Sequence, residues 1–409
     1  MKKIQLFLYL PLCFLLTTAV YAQPSIPKKD IPPDMPPDIK QQVELLYAKK
    51  AYDRAMAAYA LGEMGPKASP AVPFLIAMFL DEATVIMRSE DGFNNGSSPK
   101  EESMKALVKI GASAVDPLIE ALSDKNWKIK SAAAMILGDI GDPKAVEPLT
   151  GLLMNPDLDL VRNGAIALGK LNDVRAVQPL IDTFKITGEV KRRYRFTKSY
   201  KSDGGVYIPY VVENIEYGIN IETVKGVLID SLANIGTQGL NLLHTALKNP
   251  NSAIRRNVAA VLGRIKDNSS VVLLIESLKD KAWSVRAEAA FALKEMKDPQ
   301  AVPGLIGLLK DIEPEVCGAS ALALGALKAQ AAIEPLIEAL QNGEPGVRGD
   351  VAFALGEIGD KRAVKVLIHL LGDEYVYARD HAAAALYKIT GQTFGLNQTE
   401  WNKWLANNP

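Results

Sequence analysis

One short phrase recurs along most of the chain and sets what it can fold into: Ala-Leu-Gly, two residues, then Gly-Asp. It appears in degenerate form as ALGEMG, ILGDIGD, ALGKLND, VLGRIKD, ALKEMKD, ALGALKA and ALGEIGD. Taking the second glycine position as the register gives Gly65, Gly111, Gly141, Asn172, Gly236, Lys266, Lys297, Lys328, Gly359 and Thr390. Seven of the nine intervals are 30 or 31 residues, and the other two, 46 and 64, leave inserts of about 15 and 33. A unit this short cannot bury both of its faces, so a core forms only where neighbouring units stack.

Each unit reads as two helices. Ala145-Val146-Glu147-Pro148-Leu149 spaces its apolar residues for one helical face. Pro148, Pro179 and Pro335 sit near the start of such helices, where a missing N–H costs little. Val347-Arg348 through Leu355 and Ile358 is the second helix, with Ala352, Ala354 and Leu355 as a narrow seam for close packing. Gly141, Gly236 and Gly359 suit left-handed stops.

The run V-R-x-x-A-A-x-A-L-G-x-I-G-D-x-x-A-V-x-P-L-I-x-A-L resembles the short HEAT-like repeats named after phycobilisome lyases, over roughly residues 38 to 390. The fold expected is all-α: a right-handed α-solenoid of about ten HEAT-like helical hairpins, with one β-hairpin insertion. The lyase resemblance implies chromophore attachment to a partner's cysteine. Against catalysis, His244, His369 and His381 are the three histidines and none stands in a His-Glu pair. The di-iron HEAT-repeat hydroxylase acting on deoxyhypusine depends on such pairs. No Cys-x-x-Cys, H-E-x-x-H, G-x-S-x-G or phosphate-loop pattern is present. The expectation is a non-enzyme without cofactor or metal, serving as a scaffold or adaptor. A lyase-like enzyme or enzyme subunit and a self-associating structural protein are the alternatives.

Two columns follow from the register. Seven residues before the Leu of the phrase, eight units carry a basic residue: Arg54, Lys100, Lys130, Lys225, Arg255, Arg286, Arg348 and Arg379. Val161 and Cys317 are the exceptions. The expectation is structural, pairing with loop acids such as Asp142, Asp173, Asp267, Asp298 and Asp360, rather than an anion-binding ladder. Two residues before the same Leu stand Tyr59, Met135, Ile166, Phe291, Leu322 and Phe353, interspersed with Lys105, Asp230, Ala260 and Ala384. Second helices line the concave face of such stacks, so this column is a candidate partner-binding stripe, or else an extension of the core. Asn257, Arg264, Glu288, Glu295, Asp350, Glu357 and His381 are nearby groove candidates of mixed charge, which suits a protein or peptide partner.

The ends and inserts complete the organisation. Lys2 and Lys3, the apolar Ile4 to Val20 and the small residues of Val20-Tyr21-Ala22 read as a cleaved signal peptide, residues 1–22. Leu12 before Cys13 is not a lipoprotein signal, and no other run is long enough to span a bilayer, so the mature chain is expected to be periplasmic or secreted. Residues 23–37 read as a Pro-rich extended tether, 38–390 as the solenoid with inserts near 83–99 and 186–218, and 391–409 as a cap around Trp401 and Trp404. The first insert reads as a flexible excursion. The second carries Arg192, Arg193, Tyr194, Arg195, Phe196 and Tyr200 before Asp203-Gly204-Gly205, and reads as a projecting hairpin. Aromatics among cations suit an acidic protein surface, a lipid headgroup or an anionic glycan there, or else the insert is a solvated loop whose cations pair with Glu213, Glu216 and Glu222. With 47 basic and 47 acidic residues the chain lacks the excess charge of a general nucleic-acid binder. Cys317 is the one cysteine after the leader, and a small apolar role is expected for it.

Overall fold

The computed structural model describes residues 24–88, 94–185, 193–203, 206–216, 221–341 and 344–408; the expected leader lies outside them. Two compact units emerge, Met1–Ile136 and Leu137–Pro409, with the division inside the helix Trp127–Ile140. Both are built from the same helical hairpin, and the fold class is the α-solenoid that the period predicts.

The hairpin centred on residue 313 shows how the sequence specifies each piece. Asp298 accepts a hydrogen bond from the Gln300 N–H at 2.8 Å and so caps a 3-10 turn, Pro299–Ala301. The short first helix Val302–Leu308 follows, then the second helix Pro314–Ala326, which opens on a proline where no N–H is needed. Within the second unit Ser252–Ile265, Trp283–Met296, Pro314–Ala326, Pro345–Ile358 and Val376–Thr390 pack each on the next. The Leu of the recurring phrase, Leu262, Leu293, Leu324, Leu355 and Leu386, is wholly buried in every one. Each contributes about 1.5–3 kcal/mol of transfer free energy, gained only because a neighbour is there to cover it.

The residue after that Leu decides how near the neighbour comes. A Cβ added to Gly138, Gly169, Gly263, Gly325 or Gly356 would lie 2.7–2.8 Å from the Cα of Ala167, Ser231, Ala292, Ala354 or Ala385 on the next second helix. Gly62 and Ala106 repeat the contact in the first unit at 2.9 Å.

The register derived from sequence marks the helix stops. Gly65, Gly111, Gly141, Asn172, Gly236, Lys266, Lys297, Lys328 and Gly359 all have φ between 50° and 79°. The last stop falls at Gly391, φ 73°, one residue beyond Thr390. Lysine in this region meets the Cβ–carbonyl crowding that glycine avoids. Lys297→Gly is therefore expected to raise stability by about 0.5–1 kcal/mol, and Lys297→Ala to give no gain, read as urea midpoints.

Both inserts form two-stranded ladders. In the first unit β1 (Val85–Arg88) pairs antiparallel with β2 (Asn94–Ser97) where an open excursion was expected. The β-branched Val85 and Ile86 favour the strand, and Ser97 anchors its return by donating to the Glu102 carboxylate at 2.6 Å. Residues 89–93 between the strands lie outside the described residues. In the second unit β3 (Arg193–Asp203) and β4 (Val206–Glu216) form the hairpin read from sequence, with Asp203 opposite Val206. Arg192 and Gly204-Gly205 lie outside the described residues.

At the chain ends, the described part of the Pro-rich segment is packed rather than free. Tyr47 donates its hydroxyl to the Ile26 carbonyl at 2.7 Å, and Met35 is buried. Asn397 caps the last helix, Gln398–Asn407, by accepting from the Thr399 and Glu400 N–H groups. That helix buries Trp401, whose indole N–H donates to the Gly395 carbonyl at 2.9 Å with Phe394 edge-on beside it. Trp401 is therefore core, not an exposed aromatic site. Among the described residues no helix is long and apolar enough to cross a membrane.

Candidate functional site

The basic column is structural, as expected, but its partners are different acids. Arg255 makes two 2.7 Å bonds to the Asp280 carboxylate while its remaining amino group donates to the Asn249 and Pro250 carbonyls. Arg286 repeats this with Asp311 and with the Asp280 carbonyl, and Arg348 with Asp373. In the first unit Arg54 binds Asp81 at 2.6 Å and the Ala48 and Lys49 carbonyls. Arg54, Arg255 and Arg286 thus close the loop before their own helix and rivet it to the same loop of the next hairpin, and Arg348 makes the same link forward to Asp373. Asp142, Asp173, Asp267, Asp298 and Asp360, expected as partners, instead cap the 3-10 turns.

Burial pushes the Asp280 and Asp311 carboxyls up, but the hydrogen bonds from Arg255 and Arg286 and from loop N–H groups outweigh it and hold both below the usual range. The Arg348 hydrogen bond does the same for Asp373. Cys317 stands where an arginine would, with its thiol donating to the Asp311 carbonyl at 3.1 Å. Burial and then the Asp311 charge push that thiol up, away from thiolate reactivity.

The second column is on the surface. Tyr59 and Met135 in the first unit are 37% and 40% exposed; Phe291 and Phe353 in the second are 38% and 37%. Ile166 and Leu322 are half-buried. These side chains project from helices whose opposite sides already make the core, so they are not needed to fill it. Cations sit over the rings: Lys109 lies 5.4 Å from the Tyr59 centroid, Lys294 5.7 Å from Phe291 and Lys388 5.3 Å from Phe353. Beside the rings, opposite charges on consecutive second helices pair as Lys109–Glu63, Lys170–Asp139 and Lys388–Glu357.

Two places on the second unit draw polar groups together. At the last hairpins Tyr377, exposed and missed by the column pattern, donates to Asp350 at 2.7 Å and stacks edge-on to His381 at 4.4 Å. Phe353 meets the other side of His381 at 5.7 Å. Burial pushes the Asp350 carboxyl up; burial and the Asp350 contact push Tyr377 up to about 12. The second place is a cleft of about 280 Å³ between the helices Ile221–Ile235, Ser252–Ile265 and Trp283–Met296. Ala260 and Gly263 lie along it, with Phe291, Asn257, Arg256 and Glu288 around them. Burial pushes the Glu288 carboxyl up, and Arg256 at 3.4 Å only partly offsets this. A larger cleft, about 650 Å³, adjoins the Arg348–Asp373 bridge and His369. Among the described residues no cluster of His, Cys, Asp and Glu is placed to hold a metal.

In the hairpin insert Arg193, Tyr194, Arg195, Phe196 and Tyr200 all stand on β3, paired with β4, and their side chains lie outside the described residues.

The model describing HEAT repeats matches residues 115–193, 222–284, 271–348 and 333–394, more than half of the chain, and that for the PBS lyase HEAT-like repeat matches 99–124. No curated protein sequence matches. Among solved structures, the karyopherin Kap121p bound to the extreme C-terminus of the protein phosphatase Cdc14p has a TM-score of 0.58 at 12% identity, covering 92% of this chain and 44% of that one. Kap95p bound to RanGDP gives 0.50 at 12% identity, over 86% and 52%. The complex of CpcE and CpcF of phycocyanin lyase from Nostoc sp. PCC7120 gives 0.34 at 21% identity, over 44% and 99%. The chain spans about half the length of Kap121p and Kap95p, and the likeness to them is one of fold.

Proposed function

This chain belongs to the HEAT-repeat family, and from that premise we propose that it is a non-catalytic scaffold that takes a protein or peptide partner on its exposed second-helix column. The observation that carries this is the register of Phe291 and Phe353: large rings held at the surface on a rigid stack, each with a cation over it and none required by the core. Such rings lose little freedom on docking, which is what makes buried aromatics dominate binding energies. The β3–β4 hairpin is a second contact, its basic and aromatic sequence from Arg192 to Tyr200 suited to an acidic protein surface or an anionic glycan. The place of action proposed is the cell envelope or the exterior, after removal of residues 1–22.

The test is quantitative recovery from an envelope extract on immobilised mature protein. Phe291→Ser with Phe353→Ser should weaken the captured partner by about 2 kcal/mol or more, roughly thirtyfold. Deleting residues 190–212 should remove a distinct part of the affinity. If the double variant and the deletion both recover what the intact protein recovers, neither surface is the binding site and the proposal fails.

A further inference from the structure

The cleft of about 650 Å³ lies on the first-helix side of the second unit, between Ile333–Ala339 and Val364–Leu370, and no residue of the aromatic column lines it. Its walls are aliphatic: Ile337, Leu340, Val366 and Leu370. Leu340 marks what differs at this hairpin. Its counterparts Leu278, Leu309 and Leu371 are 3%, 3% and 4% exposed, whereas Leu340 is half-buried and lines the cleft. The charges around the mouth do not balance. Asp373 is held by Arg348 at 2.7 and 2.9 Å, Glu334 by Arg362 at 3.2 Å and Glu338 by Lys310 at 2.9 Å. Lys365 and His369, both exposed, have no side-chain hydrogen bond or ion pair among the described residues. Standing at i and i+4, they share one helix face with about 6 Å between Cβ atoms. The earlier hairpins of the second unit hold no base at these two places, as in Gln178 and Asp182, Val272 and Glu276, or Glu334 and Glu338.

We propose that this cleft binds a small aliphatic carboxylate, with the hydrocarbon chain against Ile337, Leu340, Val366 and Leu370 and the carboxylate between the Lys365 ammonium and the His369 imidazole. An ammonium has three N–H donors and a neutral imidazole one, enough for both oxygens of one carboxylate. The volume is in the range of small-ligand sites. Burial of the chain supplies most of the affinity, because charges at an exposed mouth are well solvated. The two bases choose the head group. No aromatic ring lines the cleft, so an aromatic acid finds nothing to stack on, and an inorganic anion leaves the aliphatic walls uncovered. The site is separate from the second-helix surface assigned to a protein partner, and either assignment can hold without the other.

Calorimetric titration of the mature full-length protein with octanoate is the test. Octanoate should bind about tenfold more tightly than butyrate, which lacks most of the chain, and about tenfold more tightly than octanol, which lacks the charge. Lys365→Glu with His369→Glu, the residues that the preceding hairpin carries at these places, should weaken octanoate about tenfold and leave octanol unchanged. Both side chains are exposed, so the thermal midpoint should hold. Lys361→Glu, a cation of the same hairpin outside the cleft, should leave octanoate binding as it is. Absence of saturable octanoate binding at millimolar concentration overturns the proposal. Equal affinity for octanol and octanoate does the same, and needs no variant to fold. So does a loss in Lys361→Glu as large as in the double variant, since general surface charge would then be the cause. An apolar tripeptide with a free C-terminus that binds more tightly than octanoate also overturns it, because the occupant would then be the end of a protein chain.

Discussion

Arg54→Ala is expected to destabilise the first unit by about 3–5 kcal/mol, the largest effect of any single polar substitution in the chain. Arg54 and Asp81 are 1% and 2% exposed, and the guanidinium also holds the Ala48 and Lys49 carbonyls. Removing it strands a carboxylate and two carbonyls without water, and the loss of the partner, rather than of the attraction alone, sets the cost. The double replacement Arg54→Met with Asp81→Leu removes both charges and should recover most of the loss. An exposed pair such as Lys170–Asp139 should change stability by about 0.5 kcal/mol or less when broken. Urea denaturation of the three variants checks the order. An Arg54→Ala cost below about 1 kcal/mol would mean that Asp81 finds solvent after all.

Gly325→Val is the second large effect, about 2–3 kcal/mol destabilising. The added Cβ alone would lie 2.8 Å from the Ala354 Cα and 3.0 Å from its Cβ. Neither neighbour is the movable tip of a long side chain, so the two second helices must move apart and part of the seam is lost. Helix propensity acts in the opposite direction, since valine is a better helix former than glycine by a few tenths of a kcal/mol, too little to compensate. Gly307→Ala is the control. It is helical, exposed and has nothing within 4 Å of the added Cβ, so it should stabilise by about 0.5–1 kcal/mol. Equal outcomes at the two positions would show that close approach does not determine the choice of glycine.

The parts legible in sequence were those set within one unit. The left-handed stops fall on the register at nine of its ten positions, because a helix end depends on a few consecutive residues. The tenth slips by one to Gly391, where glycine itself is available. The arginine column was visible, but its partners were sought within the adjoining turn, whereas they lie in the next hairpin. Asp280, Asp311 and Asp373 each stand 25 residues after their arginine. The signal was present in the chain: position 342, the same distance beyond Cys317, is Asn, so the base and the acid are replaced together. The first insert's ladder was hidden by its polar, glycine-containing sequence, since pairing there depends on strands meeting and not on local preference. Tyr377 was missed because it acts from outside the column, resting its ring over Gly349 to reach Asp350.

The alternating pairs beside the aromatic column bear on how an encounter begins. Where Lys170 meets Asp139, Lys388 meets Glu357 and Lys266 meets Glu295, the field of each cation is cancelled within a few ångströms. Such a surface sends out no long-range attraction, so association there proceeds at the unsteered rate of about 10⁵–10⁶ M⁻¹ s⁻¹ and depends little on ionic strength. Selectivity must then arise after contact, in how long a correctly shaped partner stays.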